Sequence, residues 1–161
     1  MEKVLVSGVS FNRDEAKISI RKLPDTPGIA SQVFVKVAEA NINVDMIVQN
    51  VSQDGTTDLT FTVPKSDLDF ALKIVQPVAK EIGAQSVDTN PNIAKVSVIG
   101  IGMRSHSGVA AQMFATLAHE KINIHMISTS EIKVSVVVDE NRMEDAVRAL
   151  HQVFGLGAQA A

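Results

Sequence analysis

The strongest constraint on this chain is that it repeats itself. Residues 25–47, DTPGIASQVFVKVAEANINVDMI, return eighty positions later as SHSGVAAQMFATLAHEKINIHMI at 105–127. Nine of the 23 ungapped positions are identical, among them Gly28/Gly108, Phe34/Phe114, Asn43/Asn123 and Met46/Met126, where chance gives about one or two. The flanks agree as well: AKISI at 16–20 answers AKVSV at 94–98, and DLDFALKIV at 67–75 answers RMEDAVRAL at 142–150. A length of 161 residues suits one medium domain or two small ones. Duplication of a unit of ~70–80 residues decides for two.

Period gives the elements of each unit. Ile18 and Ile20 alternate with polar neighbours over Lys17 to Leu23, the pattern of a half-buried strand. Asp25-Thr26-Pro27-Gly28 is a turn, and beyond it Ile29, Val33, Val37 and Ala40, with Phe34 and Ala38, form an apolar helical stripe ending at Asn41. Ile42 to Val51 is rich in branched residues and predicts a strand; Asp54-Gly55 signals a hairpin into a strand from Asp58 to Val63. Ser66 is placed to cap a second helix carrying Leu68, Ala71, Leu72, Val75 and Val78, with Pro77 disturbing its later part. Gly83 stops that helix, Ala84 to Asp88 is a short last strand, and Asn90-Pro91-Asn92 reads as a linker. The order βαββαβ is a ferredoxin-like α+β plan, an antiparallel sheet with two helices on one face.

The second unit repeats a strand (95–101), a helix (108–120), strands (123–129 and 132–139) and a helix (141–154), and then has no fourth strand. KVLVSGVSF at 3–11 is a strand-like segment that the first unit does not need. The economical arrangement inserts a first unit, 14–90, into a second built from 1–13 plus 93–161. A side-by-side pair with a loose N-terminal arm is the rival.

Composition narrows the chemistry. Lys+Arg 15 against Asp+Glu 18 leaves a net charge of -3, and there are six Phe with no Tyr or Trp. A nucleic-acid partner needs a basic face and stacking platforms, which disfavours it. The absence of Cys removes disulfides and thiolate metal sites and fits a reducing cytoplasm. No apolar run approaches the ~20 residues of a membrane span, and Met1 is not followed by a basic-then-apolar leader. Four His show no metal-ligand spacing, and the carboxylate pairs Asp14-Glu15 and Asp139-Glu140 read as solvated turn residues rather than acid/base pairs. Gly100-Ile101-Gly102 lacks the lysine or acidic residue of a nucleotide-binding loop. An acylphosphatase-type enzyme needs an Arg-bearing phosphate cradle, for which Arg104 in one repeat alone is poor support. No catalytic constellation is present.

Binding is another matter. Both repeats carry a turn ending in Gly, at 28 and 108, directly before a helix. The first N–H groups of a helix and its dipole favour an anion such as a carboxylate, and glycine permits close backbone approach. An ordinary strand-to-helix turn explains one such loop; two point to a ligand.

The motifs DTPGIA, INVDMI, SHSGV and INIHMISTSEIKVSV, with the stretch 46–63, resemble the tandem ACT domains at the C-terminal end of aspartate kinases, over essentially the whole chain. That resemblance implies two ACT units regulating aspartate kinase, the phosphotransferase acting on the side-chain carboxylate of aspartate, by feedback from threonine and/or lysine in aspartate-family biosynthesis. The kinase domain, with its ATP and magnesium, lies outside this chain, which carries no cofactor of its own. The partners implied are a second copy, through side-by-side pairing of unlike ACT units, and an aspartate kinase catalytic domain or α subunit in the cytoplasm. A stand-alone tandem-ACT sensor regulating another enzyme or transcription is the alternative.

The resemblance also implies two effector sites, each shared between chains. One uses Asp25, Gly28, Ile29, Ala30 and Gln49 with Asn123 and Ile124 of the partner copy. The amides of 28–30 would take a carboxylate, Asp25 an α-ammonium and Gln49 a hydroxyl, chemistry that suits threonine. The other pairs the Ser105, His106, Gly108 and Val109 turn with Asn43, Val44 and Asp45, joined by Ser130 and Glu131, whose charges suit a lysine ammonium. Ser107 stands where the family more usually has Pro in this loop.

Overall fold

The strand expected at 17–23 is part of a longer one. In the computed structural model, which describes residues 6–102 and 107–156, β1 runs Val6–Pro24. The chain divides into two units, Asp14–Pro91 and Met1–Arg13 with Asn92–Ala161, so β1 gives residues to both.

In the unit Asp14–Pro91, β1 is followed by α1 (Ile29–Glu39), β2 (Ile47–Val51), β3 (Thr56–Val63), α2 (Leu68–Glu81) and the first part of β4 (Ser86–Gly100). The strand order β2-β3-β1-β4 is the ferredoxin-like one. β3 pairs antiparallel with both β1 and β2, so Phe61 faces Ile18 on one side and Ile47 on the other. Period two on the strands and the helical stripe on α1 and α2 converge on one core: Ile18, Ile20, Leu59 and Phe61 from the sheet, Val33, Val37, Ala71 and Val75 from the helices. Phe34 meets Phe61 edge to face, ring centroids 5.1 Å apart. Truncating a fully buried phenyl such as Phe61 costs about 3–5 kcal/mol.

The second unit repeats the plan with the rest of β4, then α3 (Ser107–His119), β5 (Ile124–Thr129), β6 (Lys133–Asp139) and α4 (Met143–Val153). Its order is β1-β4-β6-β5. Residues 6–13 thus stand where the fourth strand of the plan belongs, Val6 and Val9 packing on a core of Val96, Val98, Met113, Leu117, Val136 and Leu150.

Local expectations needed correction in five places. β2 begins at Ile47, not Ile42: residues 42–46 are irregular, anchored by the Met46 N–H to Thr62 Oγ1 at 3.0 Å. No side chain caps α2; a 3₁₀ turn over Lys65–Asp67 leads into it, so Ser66 is not its cap. Helix α2 continues through the exposed Pro77, where water can serve the freed carbonyl. Asn90-Pro91-Asn92 is no linker but lies within β4, because the fixed φ of proline suits an extended strand. Asp14-Glu15 lies in β1 rather than at a turn, with Glu15 only 2% exposed.

Candidate functional site

The turn before α1 is built by its own backbone. The Asp25 N–H donates to the Gly55 carbonyl at 3.0 Å, tying the turn to the tip of the β2–β3 hairpin, and the Thr26 N–H donates to Pro24 O at 3.0 Å. Gly28, φ +88°, sits in the left-handed region at the helix N-cap, and its carbonyl accepts the Gln32 N–H at 3.1 Å. The Ile29 N–H donates to Thr26 O at 3.2 Å. That amide is occupied within the turn, which corrects the expectation that all three of the 28–30 amides are free for a carboxylate. Neither α1 nor α3 has an acidic residue in its first turn, whereas α2 has Asp69 and α4 has Glu144 and Asp145. The positive ends of α1 and α3 are therefore left without a carboxylate of their own.

Ser105 and His106 lie outside the described residues. Gly108 is the second residue of α3 rather than the end of a turn before it, and Val109 is buried in the core. The likeness of the two glycines in sequence does not extend to their backbones: Gly28 precedes α1 with a left-handed φ, whereas Gly108 already lies inside α3.

Gln49 is exposed on β2, opposite Leu59, and so shares the helix side of the sheet with Ile47 and Val51. Those two are 55% and 65% exposed: the edge strand carries apolar side chains that α1 and α2 do not cover. In the other unit, Ile127 opposite Val136 on β5 does the same at 47%.

The loops after α1 and α3 form the other half of each expected site. Asn43 and Asp45 are exposed, Val44 packs partly on the core, and the Asp45 N–H donates to Thr62 O at 3.1 Å. Asn123 and Ile124 line an open recess of about 360 Å³ together with Phe114, Ala118, Lys121 and Ile122. Phe114 and Lys121 gave no sequence signal for this, since Phe114 matches Phe34, which packs against the core of its own unit. His125, where the other repeat has Asp45, hydrogen-bonds Asp139 at 2.7 Å. Ser130 turns the β5–β6 hairpin, its N–H to Lys133 O at 2.8 Å and its hydroxyl accepting the Lys133 N–H at 3.2 Å, with Glu131 exposed beside it.

Register shows which halves meet within a unit. The turn at 25–28 is tethered at the Thr56 end of β3, and the loop 43–46 is tethered at Thr62. Six strand residues separate these ends, ~20 Å. Likewise β4 and β6 pair Ile99 with Lys133 before α3, while Ile124 pairs with Val138, a span of ~17 Å. A turn and a loop of one unit therefore cannot close on one small ligand.

Comparison with known proteins identifies the family. The ACT domain family matches residues 17–77 and 96–154. The aspartate kinase of Pseudomonas fluorescens is 60% identical over 160 residues, 99% of this chain and 39% of its own length, and the aspartokinase of Pseudomonas aeruginosa is 58% identical over the same shares. The chain thus spans about two fifths of these relatives. Among solved structures, one of aspartokinase α and β subunits superposes with a TM-score of 0.88 at 53% identity, over 94% of this chain and 99% of that one. The ligand-free regulatory subunit of aspartate kinase from Thermus thermophilus gives 0.88 at 43%, over 92% and 98%.

Proposed function

This chain belongs to the ACT-domain family as a tandem regulatory region of the aspartate kinase type, and on that premise we propose that it senses threonine and/or lysine and imposes feedback inhibition on an aspartate kinase catalytic domain. The observation that carries the reading is the separation of each unit's turn from its own loop by most of a strand. A small amino acid bridging a turn and a loop must therefore join two units, as expected of a sensor that changes assembly when it binds. The exposed edge strands β2 and β5, with Ile47 and Ile127, suit pairing of unlike units from two copies.

In the threonine-like site, first-turn amides of α1 beyond Ile29 face an effector carboxylate, Asp25 its ammonium and Gln49 its hydroxyl, with Asn123 and Ile124 of a second copy closing the recess. The lysine-like site sets Gly108 against Asn43, Val44 and Asp45 of the other copy, with Glu131 adding charge. An effector that binds the inhibited arrangement better than the active one shifts the equilibrium by its differential affinity, ~1–3 kcal/mol in typical cases. Phosphoryl transfer, with its ATP and magnesium, belongs to the cytoplasmic catalytic partner. Calorimetric titration with each amino acid, paired with sedimentation, tests the proposal: saturable millimolar or tighter binding of threonine or lysine with growth of the dimer is expected. Binding of neither removes it.

A further inference from the structure

The geometry points to Arg142 as a positioning residue for the Asn123–Ile124 recess, an inference that rests on the threonine reading above. Its guanidinium reaches across from the start of α4 to the turn after α3: Nη2 donates to the Glu120 carbonyl at 3.0 Å and Nη1 to the Lys121 carbonyl at 3.4 Å, while Nε donates to Asp145 Oδ2 at 3.2 Å. The turn is otherwise closed by Lys121 N–H to Ala118 O and Ile122 N–H to Leu117 O, at 3.0 and 2.9 Å, the paired bonds of a helix C-terminus whose next residue is left-handed. That residue is Lys121, φ 59°, and its side chain lines the recess.

The sister turn in the other unit has the same bonds, Asn41 N–H to Ala38 O and Ile42 N–H to Val37 O. There the left-handed residue is Asn41, φ 58°, a residue type enriched in that region where Lys is not. The counterpart of Arg142 in the repeat is Asp67, a carboxylate that cannot donate to carbonyls. One turn thus keeps its shape through its own residue; the other has a residue that resists the shape and an arginine fork that holds it. Residues 121–124 follow directly into the recess, so the fork fixes where Asn123 and Ile124 stand before a ligand arrives.

The test compares wild type, Arg142→Gln and Arg142→Lys. Calorimetry should show threonine affinity falling by roughly three- to tenfold in both variants, since preorganisation lost is affinity lost and a lysine cannot fork two carbonyls. Lysine affinity should stay unchanged, because its site draws on the opposite end of β6. Adding Lys121→Asn to Arg142→Gln should return amide exchange at Ile122–His125 toward the wild-type rate by removing the strain. Unchanged threonine affinity overturns the inference, as does an equal loss for both ligands, which marks general loosening. Amide hydrogen exchange at Ile122–His125 in the ligand-free protein reads the hold of Arg142 without any effector. Faster exchange in Arg142→Gln supports it and unchanged exchange overturns it, even where wild type binds neither amino acid and it is the sensor reading that fails.

Discussion

Gly28 and Gly108 hold the same place in the repeat, but their backbones ask different things of the side chain. Gly28 is left-handed, and a methyl group there would meet open space; the obstacle to any other residue is conformational, not steric. Gly108 lies in the first turn of α3, also in open space. Gly28→Ala should therefore cost about 1 kcal/mol or more, whereas Gly108→Ala should gain ~0.5–1 kcal/mol by restricting the unfolded chain. Urea denaturation of the two variants measures this, and equal shifts would contradict the assignment. The glycines were legible as a repeated pair; their difference was not, because it depends on where each helix starts, which the shared motif does not state. Ile29 teaches the same lesson: its N–H was visible as a first-turn donor, but its use by Thr26 depends on how the turn closes.

At the level of elements, the β2–β3 hairpin is held by Asp54. Its carboxylate accepts the Thr56 N–H at 3.0 Å and the Thr56 hydroxyl at 2.5 Å. The hydroxyl bond first, then the N–H, with Lys22 adding a favourable charge, hold its pKa below the ordinary 3.8. A depressed carboxylate stabilises the fold above its unfolded value and loses that contribution as pH falls through the folded one. Asp54→Ala should thus melt below wild type at pH 7, and the gap should close as pH drops below about 3.8. A gap of constant size from pH 7 to pH 2.5 would show that the carboxylate charge is not responsible. The hairpin was readable from Asp54-Gly55, whose chemistry is local. The start of β2 was not: residues 42–46 have strand-forming side chains, but their backbone is committed to Thr62, a contact 16 residues away in sequence that periodicity does not register. Pro91 misled in the opposite sense. Proline punctuates loops often enough to suggest a linker, yet its φ is also that of a strand.

For the whole molecule, the decisive property is that one unit is continuous in sequence and the other is not. Asp14–Pro91 contains all six elements of its plan and its own core, so a fragment of those residues should melt cooperatively by circular dichroism. Residues 92–161 lack the strand at 6–13, which brings Val6 and Val9 to the core and the Ser7 hydroxyl to the Ile99 carbonyl at 3.2 Å. That fragment should melt without cooperativity, and fusing residues 1–13 to it through a flexible linker should restore the transition. Cooperative melting of 92–161 alone would show the borrowed strand to be dispensable. By itself the sequence determined the duplication, the βαββαβ order and the two aliphatic cores, because these follow from composition and period, which each segment carries within itself. The tertiary structure alone decided that a unit's turn and loop stand at opposite ends of β3 or β6, that Gly28 and not Gly108 is left-handed, and that Arg142 grips the turn before Asn123. Each of these depends on register or on a contact between segments distant in the chain, and no local pattern encodes such distances.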